Sequence, residues 1–198
     1  MVAVTEAGWG TPRPLGAEIN TDAIEYFPTP TRSGALYFGR VDLGTGAAAL
    51  LRAPAAGDGF GPPEPVTVPL ADPGRGINVC VDPDERFLVF PDARPGARGD
   101  SDFFISYRGA DGTWLAPRPL NLPFRTLHGA EAVRLTPDGR YLFLSYADQT
   151  AGPGIWGRPA PLDHGRRLTR ADLLTYQAGP GNGRLDVYWV AADILPKP

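Results

Sequence analysis

The chain has 198 residues, of which 42% are hydrophobic and 21% are charged, and its formal net charge is −3. This composition supports a sizeable hydrophobic core and excludes disorder along the whole chain. The 19 basic residues are scattered, which argues against a nucleic-acid partner, and the single cysteine excludes an internal disulfide and a multi-cysteine metal site.

The N-terminus contains neither the basic region nor the apolar region of a signal peptide, so the cytoplasm is the expected location by default. The longest apolar run, residues 47–51, is far too short to cross a bilayer. The sequence therefore predicts no membrane span.

One motif, aromatic-x-x-Pro-x-Pro-aliphatic, occurs three times in the chain. The copies, which we call the proline segments, lie at residues 9–15, 60–66 and 114–120. They are about fifty residues apart, an interval typical of propeller repeats. This repeat is the strongest signal in the sequence, and it predicts three copies of one structural unit.

A tight turn followed by an apolar strand recurs at a steady distance after each proline segment. Its fullest form lies at residues 136–144, where a Thr-Pro-Asp-Gly turn precedes a Tyr-Leu-Phe-Leu run. The equivalent stretches lie at residues 31–38 and 82–90. The turn residues favour a chain reversal and the apolar run favours a strand, so each stretch predicts the centre of a β-hairpin.

A further strand is predicted in the second and third units. In the second unit the candidate is residues 102–106, and in the third unit the choice lies between residues 155–156 and residues 185–190. Residues 155–156 follow the central strand at the same distance as residues 102–106 do in the second unit. Residues 185–190, however, have the composition more typical of a strand. We predict residues 185–190, with an insertion near residues 147–184.

The predicted fold is all-β, with about three four-stranded antiparallel sheets arranged as β-propeller blades. A single domain would span residues 8–195, with blades at approximately residues 8–59, 60–113 and 114–195. The apolar runs of the central strands face both sides, as is required of sheets packed between neighbouring sheets.

The turn motif resembles that of the TolB-like, WD-repeat-like bacterial β-propeller family, whose blades carry Ser/Thr-Pro-Asp-Gly-x-x-Leu-hydrophobic-Phe. That core is complete in residues 136–143 and altered in the two earlier units. Residues 186–194 are also similar to the C-terminal end of uncharacterised members. The resemblance implies a propeller that binds proteins or small ligands, often in the periplasm.

Closed propellers have at least four blades, whereas three units are visible here. Three arrangements stay open. The chain is the C-terminal part of a larger propeller, two copies form a homodimer that closes one ring, or the insertion supplies a degenerate fourth blade.

The first strand of each propeller blade lines the central channel, so polar residues on these strands are the candidate ligand-binding residues. They are Glu25, Asn78 and Glu131, joined by His128 just before a predicted inner strand. We predict a non-enzymatic module that recognises a protein, a peptide or a small ligand at the channel mouth. The alternative is a glycoside-active hydrolase, sialidase- or arabinanase-like, with Glu25 and Glu131 as paired acid and base.

No motif predicts a metal site, a cofactor or a catalytic nucleophile. The two histidines are far apart in the sequence and show no metal-binding spacing. Cys80 lies in a strand-like run, which predicts a small core residue. Asp84, Asp111 and Asp138 belong to turns, where hydrogen bonding to the backbone gives a full account of them.

Overall fold

The computed structural model describes residues 2, 4–71, 78–95, 97, 101–122, 130–147, 169–171 and 185–196. The structure is all-β, as predicted. In chain order the strands are β1 (Val4–Thr5), β2 (Gly8–Trp9), β3 (Ile24–Pro30), β4 (Leu36–Val41), β5 (Ala48–Ala53), β6 (Ala55–Ala56), β7 (Gly59–Phe60), β8 (Glu64–Pro65), β9 (Cys80–Val81), β10 (Phe87–Asp92), β11 (Asp102–Tyr107), β12 (Arg118–Pro119), β13 (Ala130–Leu135), β14 (Tyr141–Ala147) and β15 (Leu185–Ala191). A 3₁₀ turn at Ala192–Ile194 follows β15.

These strands form three main antiparallel sheets. The first sheet has the order β3-β4-β5-β8, the second β9-β10-β11-β12 and the third β13-β14-β15. Two small hairpins, β1 with β2 and β6 with β7, stand apart from them. None of the sheets closes on itself within the described part of the chain.

The second and third strands of each sheet follow the repeat. Strands β4, β10 and β14 hold the second position, and each begins directly after one of the predicted turns. In the last sheet β15 pairs with the whole length of β14, which confirms the prediction for residues 185–190. Residues 155–156 and nearly all of the predicted insertion lie outside the described residues.

The fourth strands of the first two sheets come from proline segments. Strand β8 lies within residues 60–66 and β12 within residues 114–120, so each sheet extends past the predicted ends of its unit, residues 59 and 113. Proline is tolerated on an outer edge strand, where it also discourages pairing with further strands. A proline segment therefore completes the preceding sheet.

The three predicted turns share one backbone geometry. In each, the amide of the fourth residue donates to the carbonyl of the first at 2.8 to 3.0 Å. The donor–acceptor pairs are Gly34 to Thr31, Glu85 to Asp82 and Gly139 to Thr136. The fourth residue has a positive φ in every case. Glycine adopts this conformation readily, which is why an Asp-Gly turn precedes the strand in the fullest copy.

Replacing Gly139 by alanine is expected to lower the free energy of unfolding by about 1 kcal/mol. An added Cβ would have nothing within 4 Å, so the cost is the backbone strain at a φ of 72°. Gly16→Ala is the matched control, because its Cβ would also meet open space but its φ is ordinary. Urea unfolding of both variants measures the difference, and equal effects would show that φ is not the cause.

The chain divides into two compact units, which do not coincide with the three repeat units predicted from the sequence. The first comprises Met1–Val68 with Asp72–Ile77, and the second comprises Pro69–Ala71 with Asn78–Pro198. In the first compact unit, one face of the first sheet carries a buried cluster made of Ile19, Leu36, Phe38, Leu51 and Ala53. Tyr37 and Leu50, which alternate with these residues along the strands, are also buried, so the opposite face of the sheet is covered as well.

In the second compact unit, one large buried cluster lies between the second and third sheets. Leu88, Phe90 and Phe104 on the opposite face of the second sheet are also buried. Phe103 and Ile105 of β11 pack in one cluster with Leu142 and Leu144 of β14. The ring of Tyr146 meets that of Phe103 edge to face, with centroids 5.1 Å apart. The second and third sheets therefore stack through their apolar faces, which fixes the ends of their strands relative to one another.

Among the described residues, we find no helix with the length and apolar character that a membrane span requires.

Candidate functional site

In the first unit, Glu25 lies near the start of β3, opposite Arg40 near the end of β4. Arg40 Nε lies 2.9 Å from Glu25 Oε1, and the Thr21 hydroxyl donates to the same oxygen at 2.6 Å. Arg40 also donates from Nη2 to the carbonyl of Ile19 at 2.9 Å. Arg40 therefore fastens the loop before β3 to the sheet and holds the Glu25 carboxylate in place.

The environment of Glu25 favours its charged form. Partial burial raises the pKa of Glu25, but the hydrogen bonds from Thr21 and the interaction with Arg40 outweigh it, so the net pKa lies below its ordinary value. A general acid of a glycosidase needs a raised pKa to be protonated when it acts. Glu25 is therefore suited to accepting hydrogen bonds and unsuited to donating a proton.

In the second compact unit, the structure brings two of the predicted ligand-binding residues together. Asn78 Nδ2 donates to the backbone carbonyl of Glu131 at 2.7 Å. The pairing of β13 with β14 shifts register between Ala130 and Ala132, so Glu131 lies in a bulge. The Ser101 hydroxyl donates to the carbonyl of Ala130 at 3.3 Å. Two side chains that precede strands of the second sheet thus anchor the start of β13.

The same region contains polar residues that the sequence analysis did not single out. Asp92 ends β10 and Asp102 begins β11, and the two lie opposite each other in the strand pairing. The Tyr146 hydroxyl donates to Asp102 Oδ1 at 3.2 Å. In the sequence, the only sign of Asp92 and Asp102 as site residues is an acidic residue at the end of a strand-like run, and neither belongs to a recognisable motif. Together with Asn78 and Glu131, these residues form what we call the polar end of the second unit.

The carboxylate of Asp92 has several partners. Arg94 forms an ion pair with it, and the amide of Ala71 donates to its Oδ2 at 3.1 Å. The guanidinium of Arg94 lies over the ring of Phe104, 5.3 Å from its centroid, and also donates to the carbonyl of Pro69. Asp92 therefore ties residues 69–71 to the second sheet.

The first strands of the sheets are irregular. The pairing of β3 with β4 shifts register between Tyr26 and Thr29, and Phe27 within this bulge has a φ of 52°. Strand β9 has two residues, and β13 contains the bulge at Glu131. Bulges and strained non-glycine residues are concentrated near functional sites, because they redirect side chains at an energetic cost.

The two histidines lie outside the described residues. One of them is His128, the fourth predicted ligand-binding residue, and the other is His164. In the described part of the chain, no group of three or more His, Cys, Asp or Glu side chains is placed to hold a metal ion.

Cys80 is a core residue, as predicted. It is 3% exposed, and the amide of Leu135 donates to its Sγ at 3.1 Å. Burial raises the pKa of the thiol, so it stays protonated and unreactive at neutral pH.

Two of the three predicted turn aspartates, Asp111 and Asp138, act as predicted. Asp111 accepts hydrogen bonds from the amide and the hydroxyl of Thr113 at 3.0 and 2.8 Å, and Asp138 accepts one from the amide of Arg140 at 3.0 Å. The hydrogen bonds from Thr113 lower the pKa of Asp111, and those from the Thr136 hydroxyl and the Arg140 amide lower the pKa of Asp138. Both side chains stabilise turns.

No protein-family model matches the chain, and no curated protein is significantly similar to it. The candidate site therefore depends on geometry alone. At the polar end, backbone carbonyls, carboxylates and a phenol are held by hydrogen bonds between two stacked sheets, an arrangement that can present fixed donors and acceptors to a ligand.

Proposed function

We propose that this protein is a non-enzymatic binding module with β-propeller architecture, of the TolB-like type, which recognises a protein, a peptide or a small ligand at the mouth of its channel. The three main sheets support this architecture because they repeat one strand order. In each, the first strand lies at one edge, and in two of them a proline segment lies at the other edge. Sheets repeated at this interval are typical of propeller blades.

The observation that carries the proposed binding role is the fixed geometry of the polar end. Asn78 is held by the backbone of Glu131, and Tyr146 is held by Asp102, so these polar groups are ordered before any ligand arrives. Groups held in this way lose little conformational entropy on binding. In the proposed architecture, the polar end lies beside the channel, because Asn78 precedes β9 and Glu131 lies on β13, the first strands of their sheets.

The glycoside-active alternative has less support. It requires one carboxyl group with a raised pKa and a second carboxyl group facing it. The pKa of Glu25 is lowered, and the carboxylates of Asp92 and Asp102 accept hydrogen bonds from their surroundings. These acids are held as hydrogen-bond acceptors, which favours the binding role.

A selection from a phage-displayed library of random short peptides tests the proposal on the intact protein. We expect enriched peptides whose affinity falls at least about tenfold in Glu131→Ala and Asn78→Ala. Glu64→Ala is the matched control, since Glu64 is an exposed acid on the outer strand β8, and it should bind like the wild type. Thermal melting of each variant separates loss of binding from loss of folding.

Two outcomes would contradict the binding role. Turnover of aryl glycosides that Glu25→Gln or Glu131→Gln abolishes would establish the hydrolase instead. Enriched peptides that bind all three alanine variants equally would show that the polar end is not the recognition surface.

A further inference from the structure

Two of the three proline segments have the same structural role. Glu64–Pro65 and Arg118–Pro119 each form the fourth strand of a main sheet. In the first sheet Pro65 lies opposite Leu51 of β5, and in the second Pro119 lies opposite Phe104 of β11. The sequence repeat is therefore also a repeat of strand pairing.

The hydrogen bonds explain why proline suits this position. The residue after each second proline donates its amide to the third strand: Val66 to the carbonyl of Leu50, and Leu120 to the carbonyl of Phe103, both at 2.9 Å. Because antiparallel pairs alternate between bonded and non-bonded types, the proline falls at a non-bonded pair. Its missing N–H therefore costs nothing.

The first proline segment, residues 9–15, begins like the others. A small hairpin pairs Val4 with Trp9, just as Ala55 pairs with Phe60 in the second copy. Beyond the hairpin, however, residues 10–16 are not part of any strand. Trp9 is 81% exposed, whereas the equivalent Phe60 is partly buried. The first copy thus has the sequence of a fourth strand but not the pairing.

The third sheet has the complementary feature. Within the described residues it has three strands, and β15 takes the position that β5 and β11 hold in the other sheets. Val187 and Trp189 on β15 are 70% and 64% exposed. The edge that carries a proline segment in the other sheets carries none here among the described residues.

We propose that residues 9–15 of a second copy of this chain add to β15 as the fourth strand of the third sheet. Transferring the register of the first two sheets places Pro14 opposite Tyr188 and Arg13 opposite Trp189. The amide of Leu15 then donates to the carbonyl of Val187. This interface rests on the propeller architecture proposed above, and it selects the homodimer from the three arrangements that the sequence leaves open.

Symmetry supports a second copy as the occupant. In the described part of the chain, one proline segment forms no main-sheet strand and the outer edge of β15 carries no proline segment. Two copies can therefore exchange these segments through the same pair of surfaces. Such an isologous dimer is closed and needs no further subunit. Side-chain chemistry agrees, because the Arg13 guanidinium would meet the indole of Trp189. In the second sheet the equivalent Arg118 already lies 5.8 Å from the ring of Tyr107.

Cysteine cross-linking tests the register. In the proposed register Arg13 and Trp189 form a hydrogen-bonded pair, whose Cα atoms lie about 5.5 Å apart, within the range that a disulfide spans. Tagged Arg13→Cys is mixed with untagged Trp189→Cys under mild oxidation, and we expect a covalent heterodimer of twice the chain mass on a non-reducing gel. Leu43→Cys, an equally exposed partner on a turn, replaces Trp189→Cys as the control and should give none. Native Cys80 is buried and stays in all variants.

Light scattering of the wild type and the double variant Arg13→Cys/Trp189→Cys completes the test. A dimer that cross-links as stated supports the proposal, and a monomeric wild type overturns it. A monomeric double variant with an internal disulfide would assign the strand to the same chain and also overturn it. A dimer that does not form the cross-link would show that the chain associates through a different interface, which overturns the one proposed here. Peptide binding at the polar end is measured separately, so none of these results decides the proposed function.

Discussion

Leu142→Ala is expected to lower the free energy of unfolding by about 3 to 5 kcal/mol. Leu142 lies in β14 with 0% exposure, in the core between the second and third sheets. Truncation removes buried methyl groups and leaves a cavity that the close-packed neighbours fill only in part. Guanidinium chloride unfolding at one fixed protein concentration measures the change, because association would make stability depend on concentration.

The adjacent residue supplies the control. Phe143 points to the opposite face of β14 and is 44% exposed, so Phe143→Ala should cost about 1 kcal/mol or less although it removes a larger side chain. A one-residue shift in register would exchange the two faces of the strand. If Phe143→Ala proved the more costly substitution, the register of β14 and the packing of the third sheet would both be wrong.

The central strands could be predicted because their signals are local. At residues 136–144 the turn needs a residue that tolerates positive φ, and Gly139 provides it with a φ of 72°. The apolar run that follows is buried on one face by the neighbouring sheet. The turn residue and the apolar run both lie within a few consecutive residues, so sequence patterns are sufficient to find β4, β10 and β14.

The destination of the proline segments could not be predicted in the same way. Pro65 pairs with Leu51 in the sheet that precedes it in the chain. Nothing in residues 60–66 distinguishes this pairing from one with the following sheet, because both would use the same backbone groups. Strand partners depend on chain topology, which a short motif does not encode.

The candidate site, too, could be predicted only in part from the sequence. Glu25 and Asn78 stood out as polar residues on or beside predicted first strands, but Arg40 and Tyr146 did not. Arg40 meets Glu25 through the register of two strands, and Tyr146 reaches Asp102 only because two sheets stack. Contacts that depend on register and sheet packing are set by the whole fold, and these contacts determine the charge and order of the candidate residues.

A second large effect is expected at the turn before β10, where Asp82 replaces the threonine of the other two turns. Asp82 is 2% exposed, and Arg86 binds both of its oxygens, from Nε at 2.8 Å and from Nη2 at 2.9 Å. The amides of Asp84 and Arg86 donate to Oδ2 at 3.1 and 3.2 Å. The carboxylate therefore accepts the hydrogen bonds of the turn amides and also forms an ion pair with Arg86.

The stability that Asp82 contributes depends on pH. Burial raises the pKa of Asp82, but the hydrogen bonds and the charge of Arg86 outweigh it, so the folded-state pKa lies below the ordinary value. A group with a lowered folded-state pKa stabilises the protein fully above its unfolded pKa, about 3.9 for aspartate. This contribution disappears as the pH falls through the lowered folded-state pKa.

Asp82→Ala is therefore expected to cost about 2 to 3 kcal/mol at neutral pH, less than a fully buried pair because the Arg86 side chain is 67% exposed and water can hydrate it. Asp82→Thr should recover part of the loss, since Thr136 at the equivalent position accepts the amides of Arg140 and Tyr141 through its hydroxyl. Urea unfolding from neutral pH down to about pH 2 measures both variants against the wild type. The advantage of the wild type over Asp82→Thr should shrink as the pH falls, because threonine keeps the turn but carries no charge. An advantage that stays constant with pH would show that the folded-state pKa of Asp82 is not lowered, and so that neither the ion pair nor the hydrogen bonds favour its charged form.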